Sequence, residues 1–453
     1  MTRTAIIFLI ATSAICFFTA WQRDRPAIPL AVSTYPSSLA PQSGRQDIDT
    51  ANDLFQGGKF EEAEKIYATL ATNNPRNQAA VRQMGYIALL GNQLQTAQSW
   101  LEKAIATKPT DSEAKVMLAQ VYYRKDQLVK AGDLLNQIGP SYQGLVANYK
   151  MMNAPKLESF QGLTPYQLKG SGQSTVLKFV TSKLLPVVTV RINGGPETTF
   201  FIDTGGAELV LDTEFAKELG VKSVGSFEGT FSGGQQTEVL NSKIDSLTLG
   251  NWTLSNVPVV MMPLRQLSAA FGVKQLDGCV GTNVLYHFLA TLDNLHNQLV
   301  LRRKDAQSLK EFKQTAGNNV VTVPIWMAGD HYIVGQGQIN NAPHTLLMVD
   351  TGLAGAGIKL AESMIKKADI KLEEDKASKG QGGGGTLNIV PYTVRQVSFG
   401  DIREESVAGL YDGPFPWENT FGFYLAGMVG HDFVQPYAVT FDFEHMQLLF
   451  QHD

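Results

Sequence analysis

The sequence predicts a multidomain chain, an α-helical solenoid followed by a mainly-β unit of two lobes. Three observations predict it. A 34-residue repeat with helical spacing occupies residues 47–140. From about Thr175 the pattern changes to short β-branched and aromatic runs punctuated by glycine, which are strand signals. The β-rich part then copies itself at an offset near 147 residues. At 453 residues, with 43% hydrophobic and 18% charged side chains, the chain is long and apolar enough for about three domains. That composition excludes a mainly disordered chain and a polytopic membrane protein. Its 38 basic and 42 acidic residues give a formal charge of −4 without a dense Lys/Arg run, which excludes a nucleic-acid partner. Two cysteines, Cys16 and Cys279, exclude a disulfide framework and a thiolate-built zinc site.

At the amino terminus, Arg3 precedes an apolar run from Ala5 to Ala20, after which Trp21 to Pro26 turns polar. A short basic region before such a run is the pattern of an export signal. Phe18 is bulky where a cleavage site expects a small residue, so residues 1–22 read as either a cleaved signal peptide or a retained membrane anchor. Both readings place the remainder outside the cytoplasm, periplasmic or extracellular, with Cys279 as an unpaired, buried thiol. Residues 23–46, rich in Ser and Pro, read as a flexible linker.

The repeat is carried by Ala63, Ala97 and Ala131, by Pro75 and Pro109, and by Tyr67, Leu101 and Leu135 four positions after each alanine. An alanine lets two helices approach closely, and the larger residue one turn later fills the groove between them. Period and pattern resemble the tetratricopeptide repeat, with Gly85, Ala88, Ala97, Leu101, Ala104 and Pro109 at its signature positions in the middle copy. Three copies imply a stacked array whose concave face either holds a protein or peptide partner or serves as a spacer. Residues 141–174 read as a linker able to cover a neighbouring cleft.

The duplicated lobes are expected at 175–306 and 307–453. The first contains Val187 to Ile192, the turn Asn193-Gly194-Gly195-Pro196, then Thr198 to Ile202 and Asp203-Thr204-Gly205. The second contains Gly337 to Ile339, Asn340-Asn341-Ala342-Pro343, then Thr345 to Val349 and Asp350-Thr351-Gly352. Ile192 and Ile339, like Asp203 and Asp350, stand 147 apart, and Thr291 and Thr440 stand 149 apart. Two Asp-Thr-Gly turns at matching points of a duplicated lobe resemble the aspartic proteases, specifically the retropepsin-like branch fused into one chain.

The resemblance covers about residues 175–453 and implies peptide-bond hydrolysis by Asp203 and Asp350, with no cofactor, no metal and no obligate dimer. Two carboxyls about 3 Å apart share one proton, so one activates water while the other protonates the scissile carbonyl. By the same resemblance Thr204 and Thr351 tie the two loops together, and Gly205 and Gly352 permit the sharp turn. Cys279-Val280-Gly281 and Met428-Val429-Gly430 are then the segments that cross beneath the loops. Glycine-rich flaps are expected at Phe231, Ser232, Gly233 and Gly234, and at Gly382, Gly383 and Gly384.

Two departures stand out. Gly206-Ala207 and Leu353-Ala354 replace the small and hydroxyl-bearing residues the family places after Asp-Thr-Gly, and the first flap lacks the pepsin tyrosine. They leave room for a second reading, a catalytically silent peptide-binding module on the same fold. Nucleotide binding is disfavoured, because the GxGxxG of Gly380 to Gly385 runs into the strand-like Thr386 to Val390 instead of a helix. His296 and His445 occupy equivalent turns and read as structural.

Overall fold

The computed structural model describes residues 7–8, 43–139, 142, 149–231, 236–317 and 319–452. Apart from residues 7–8, the candidate signal or anchor and the linker up to residue 42 lie outside the described residues. Among the described residues no helix is long and apolar enough to cross a membrane.

Six helices form three antiparallel pairs: α1 (Ser43–Gln56) with α2 (Phe60–Asn73), α3 (Gln78–Leu90) with α4 (Leu94–Thr107), and α5 (Ser112–Arg124) with α6 (Leu128–Asn136). Ala63, Ala97 and Ala131 occupy the same place on α2, α4 and α6, and each is wholly buried with the larger residue one turn later. Gly85 on α3 shows how tight the pairing is, since a Cβ there would stand 2.6 Å from Leu101 of α4. The prolines end each second helix, and the next helix is capped two residues on. Asn77 Oδ1 accepts the Ala80 amide at 3.2 Å, and Asp111 Oδ1 accepts that of Ala114 at 3.0 Å.

The segment expected as a linker is more ordered than its sequence suggests. A seventh helix, α7 (Tyr149–Glu158), packs Ala154 and Leu157 into one cluster with Ala131 and Leu135. Beyond it the strand Gln167–Lys169 pairs with Trp252–Met262 and so belongs to the first lobe's sheet. Pro155 and the lack of an amphipathic period hide α7 in the sequence.

The two lobes have one plan. In the first, strand Val187–Ile192 turns at Asn193, whose side chain accepts the Asp245 and Ser246 amides, and returns as Glu197–Ile202. That strand pairs in parallel with Gly278–Val280. In the second lobe, Asn340 accepts the Gln396 amide, and Thr345–Val349 pairs in parallel with Leu425–Val429. Both asparagines have positive φ, 51° and 48°, a backbone that Asn tolerates better than most residues. The lobes are joined by six antiparallel strands in the order Ser174–Lys178, Gln298–Arg303, Phe288–Asp293, Ala438–Asp442, Gln447–Gln451 and Val320–Ala328. At their centre Thr291 faces Thr440, with the hydroxyls 2.7 Å apart. A pseudo-two-fold axis passes between them.

The repeats pack on the second lobe through their first helices and the turns that follow. Phe60 meets Trp326 and Phe423 edge-on with ring centroids 5.1 and 5.0 Å apart, and the Tyr86 hydroxyl donates to Phe421 O at 2.9 Å. The sequence leaves the occupant of this face open; here it is the chain's own β unit. Arg124, buried at the end of α5, donates to the carbonyls of Leu89, Met327 and Gly329 at 2.6–2.8 Å. Arg124→Met takes a donor from the Met327 and Gly329 carbonyls, while Leu89 O keeps the Asn92 amide at 3.0 Å. A stranded carbonyl costs about 1–3 kcal/mol, so thermal unfolding should begin several degrees lower. An unchanged melting curve would show that the junction does not hold the molecule together.

Candidate active site

Strand Glu197–Ile202 ends at Asp203, and strand Thr345–Val349 ends at Asp350. The parallel neighbour fixes each turn, because Asp203 N donates to Val280 O at 3.1 Å and Asp350 N to Val429 O at 3.0 Å. The expected crossing segments, Cys279-Val280-Gly281 and Met428-Val429-Gly430, therefore lie directly beside the two loops. Cys279 is a free, buried thiol whose pKa is pushed well up by burial and by the negative potential of Asp203 and Asp350.

Across the axis the loops hold each other. Thr204 N donates to Thr351 Oγ1 at 2.9 Å, and Thr351 N donates to Thr204 Oγ1 at 3.0 Å. The hydroxyls pass the bond on, Thr204 to Val349 O at 3.2 Å and Thr351 to Ile202 O at 3.4 Å. Each threonine thus reaches the strand that carries the other lobe's aspartate. Threonine suits this role because a hydroxyl both donates and accepts.

The grip draws the aspartates together. A Cβ on Gly205 would fall 2.5–2.6 Å from the carboxyl atoms of Asp350, and one on Gly352 would fall 2.3–2.6 Å from those of Asp203. Both aspartates are wholly buried. Asp203 Oδ1 accepts two amides, Gly205 at 2.7 Å and Gly206 at 3.2 Å, whereas Asp350 Oδ1 accepts Gly352 alone at 2.9 Å. Asp350 Oδ2 meets no amide or hydroxyl donor among the described residues. Burial, the neighbouring Asp203 charge and a hydrogen bond with Asp203 raise the Asp350 pKa well above the carboxylate range, against the opposing Gly352 amide. The pair therefore holds one proton in common, and its apparent pKa values belong to the two groups together.

Each lobe contributes a hairpin near the loops. The first joins Gly225–Thr230 to Gln236–Leu249 and carries Phe231, which is wholly buried; Ser232, Gly233 and Gly234 lie outside the described residues. The second joins Ser378–Gly382 to Gly385–Phe399 through Gly383 and Gly384. Gly382 and Gly383 are buried and Gly384 is half-buried. A Cβ on Gly383 would stand 2.6 Å from the Phe231 ring, so the hairpins meet at their ends. Tyr392 is not at a tip; its buried hydroxyl accepts the Leu360 amide at 2.9 Å inside the second lobe.

Sequence reasoning misses a polar group beside this centre. Glu208, five residues after Asp203, accepts from Lys156 Nζ of α7 at 2.7 Å and from the Tyr123 hydroxyl of α5. His331 stands 2.6 Å from Asp330 Oδ1 through Nδ1 and 3.2 Å from Gly205 O through Nε2. Burial alone would raise the Asp330 pKa, but His331 and Lys156 outweigh it and hold the carboxyl below its usual value. These side chains come from segments 52 to 126 residues away from the loop they touch, so no local pattern announces them. His296 and His445 lie 3.0 Å from Asp293 and Asp442 within their own turns, as structural residues would. Among the described residues no group of metal ligands assembles.

A family model described as aspartyl protease matches residues 188–284 and 335–412, one stretch in each lobe. A tetratricopeptide repeat model matches residues 88–154. The chain carries an aspartyl protease domain and tetratricopeptide repeats. No curated protein matches it. The protease match includes both Asp-Thr-Gly loops, and the repeat match continues into α7.

The aspartate pair has a consequence for stability. A carboxyl whose folded pKa lies above its unfolded value of about 3.9 stabilises the fold fully below that value, and the contribution is lost as pH rises through the folded pKa. Asp350→Asn removes this loss. The variant should melt with the wild type near pH 3 and about 2 °C or more above it at pH 7. Equal melting temperatures at both pH values would contradict a shared proton.

Proposed function

We propose that the chain is an exported aspartic endopeptidase. Asp203 and Asp350 hydrolyse peptide bonds through an activated water, and the substrate is a peptide or an unfolded protein. The observation that carries this reading is the reciprocal Thr204–Thr351 grip, which brings one carboxyl from each lobe to the axis. In the proposed cycle Asp203, ionised and held by the Gly205 and Gly206 amides, takes a proton from water as it attacks the scissile carbonyl. Asp350 donates its proton to the developing oxyanion. The tetrahedral intermediate then collapses as Asp203 passes the proton it took from water to the leaving nitrogen and Asp350 takes one back from a hydroxyl of the intermediate. The loop bonds are already formed, so little reorganisation is required.

The absence of a hydroxyl at Ala207 and Ala354 favours the silent peptide-binding reading as the alternative. In its favour, Asp350 Oδ1 has one amide donor where Asp203 has two. Unfolded casein or a peptide library incubated with the full chain from about pH 3 to pH 7 separates the readings. Cleavage strongest at acid pH and blocked by a statine-type transition-state mimic supports the peptidase; intact substrate throughout that range rejects it. Protein or peptide interaction suits both modules, and any partner of the repeats would use surface that the second lobe leaves uncovered.

A further inference from the structure

Beside the catalytic loop lies a cavity of about 40 Å³. Its apolar side is formed by Val210, Phe227, Phe231 and Met262 of the first lobe, its polar side chiefly by Glu208 and Lys156. Glu208 is 1% exposed, yet only one of its carboxylate oxygens is satisfied. Oε1 takes both the Lys156 ammonium and the Tyr123 hydroxyl, while Oε2, although buried, meets no donor among the described residues. A buried carboxylate oxygen without a donor costs about 1–3 kcal/mol or more, so this arrangement is incomplete as it stands.

The opposite lobe is built differently at the matching position. Strand Leu209–Asp212 pairs with Gly278–Val280 as Ile358–Leu360 pairs with Leu425–Val429, and the registers make Lys359 the counterpart of Val210. Lys359 is buried in an ion pair with Asp412 at 2.7 Å, and the counterpart of Glu208 is Gly357. Both sides thus hold a buried lysine–carboxylate pair, but the two differ: Glu208 lines an apolar cavity and takes its lysine from α7, whereas Asp412 pairs with a lysine of its own lobe.

Resting on the peptidase reading, we propose that this cavity is a specificity subsite for a basic substrate side chain, arginine above lysine, and that Lys156 of α7 occupies it in the free protein. An arginine presents two parallel N–H donors that can engage Oε1 and Oε2 together, whereas the single ammonium of Lys156 reaches only Oε1. The aliphatic stem of such a residue suits the Val210, Phe227 and Met262 wall. Other charges face the site. Asp330 and His331 also line the cavity and are bonded to each other, so Glu208 is the acid left for a substrate cation once Lys156 is displaced. The pocket must widen to admit a side chain. The base of the hairpin that bears Phe231 packs on α7, with a Cβ on Gly225 falling 2.9 Å from Pro155, so a shift of α7 is felt at this wall. The helical array then does more than carry the protease, because α7 supplies part of the wall and Tyr123 of α5 holds Glu208 in place.

The test uses the full chain carrying Asp203→Asn, so that binding is read without cleavage. Dansyl octapeptides with one Arg walked along an apolar sequence are compared with the same peptides carrying Gln. Arg at one position should tighten binding at least about tenfold over Gln, and Glu208→Gln should erase that preference. Because Glu208→Gln leaves Lys156 buried and unpaired, the neutral pair Lys156→Met with Glu208→Gln is measured alongside it and should also show no preference. Lys156→Ala alone should tighten Arg peptides further by emptying the subsite. Binding without any Arg-over-Gln preference, or a preference that survives in the neutral pair, overturns the subsite while leaving the peptidase reading intact. Failure of every octapeptide to bind overturns both.

Discussion

Asp203→Asn is expected to lower kcat/KM on unfolded protein by at least about 10⁴-fold while the chain stays folded, a loss of about 5 kcal/mol of transition-state stabilisation. Asn has the shape of Asp, and its Oδ1 can keep both amide bonds that Asp203 makes with Gly205 and Gly206. The Thr204–Thr351 grip uses none of the carboxyl atoms and should survive unchanged. What disappears is the negative charge that accepts a proton from water, along with one cause of the raised Asp350 pKa. Residual activity within tenfold of wild type would mean that Asp203 is not the base. A variant equally inert but with altered circular dichroism would only report misfolding, so the melting curve is measured on the same preparation.

The sequence exposes this centre because duplication writes everything twice. Asp203 and Asp350, Thr204 and Thr351, and the Asn193 and Asn340 turns are each visible as pairs at one offset, and the structure places every pair about a single axis. The repeats are legible for a similar reason, since Ala63, Ala97 and Ala131 recur at 34 residues because helices must approach there. Features that occur once stay hidden. α7 carries Pro155 and no clear apolar face, and the Lys156–Glu208 and Arg124–Gly329 contacts join segments far apart in the chain. Such contacts depend on how the helical array docks on the lobes, and docking is set by surface shape rather than by any local period. The missing hydroxyls at Ala207 and Ala354 are plain in the sequence. That the Gly206 amide gives Asp203 Oδ1 a second donor becomes apparent only in three dimensions.

Gly352→Ala should abolish cleavage as thoroughly as loss of an aspartate, for a purely steric reason. The new methyl would lie 2.3 Å from Asp203 Cγ and Oδ1, closer than packed atoms approach. Asp203 cannot swing aside at little cost, because Oδ1 is fixed by the Gly205 and Gly206 amides. Nor can the loop retreat without stretching the bonds between Thr204 and Thr351. The lobes must therefore part or the carboxyl must turn. A displacement of about 1 Å at a reacting centre costs on the order of 10²-fold in rate, and breaking the shared proton adds to it, so a loss of at least about 10³-fold is expected. Overpacking should also lower stability by about 1–3 kcal/mol. Gly139→Ala is the matched control, since a Cβ there meets nothing within 4 Å, and it should leave rate and melting temperature unchanged. If Gly352→Ala cleaves at the wild-type rate, the two carboxyls do not meet across the axis in the working protein. The dyad would then have to be given up even if Asp203→Asn were inactive.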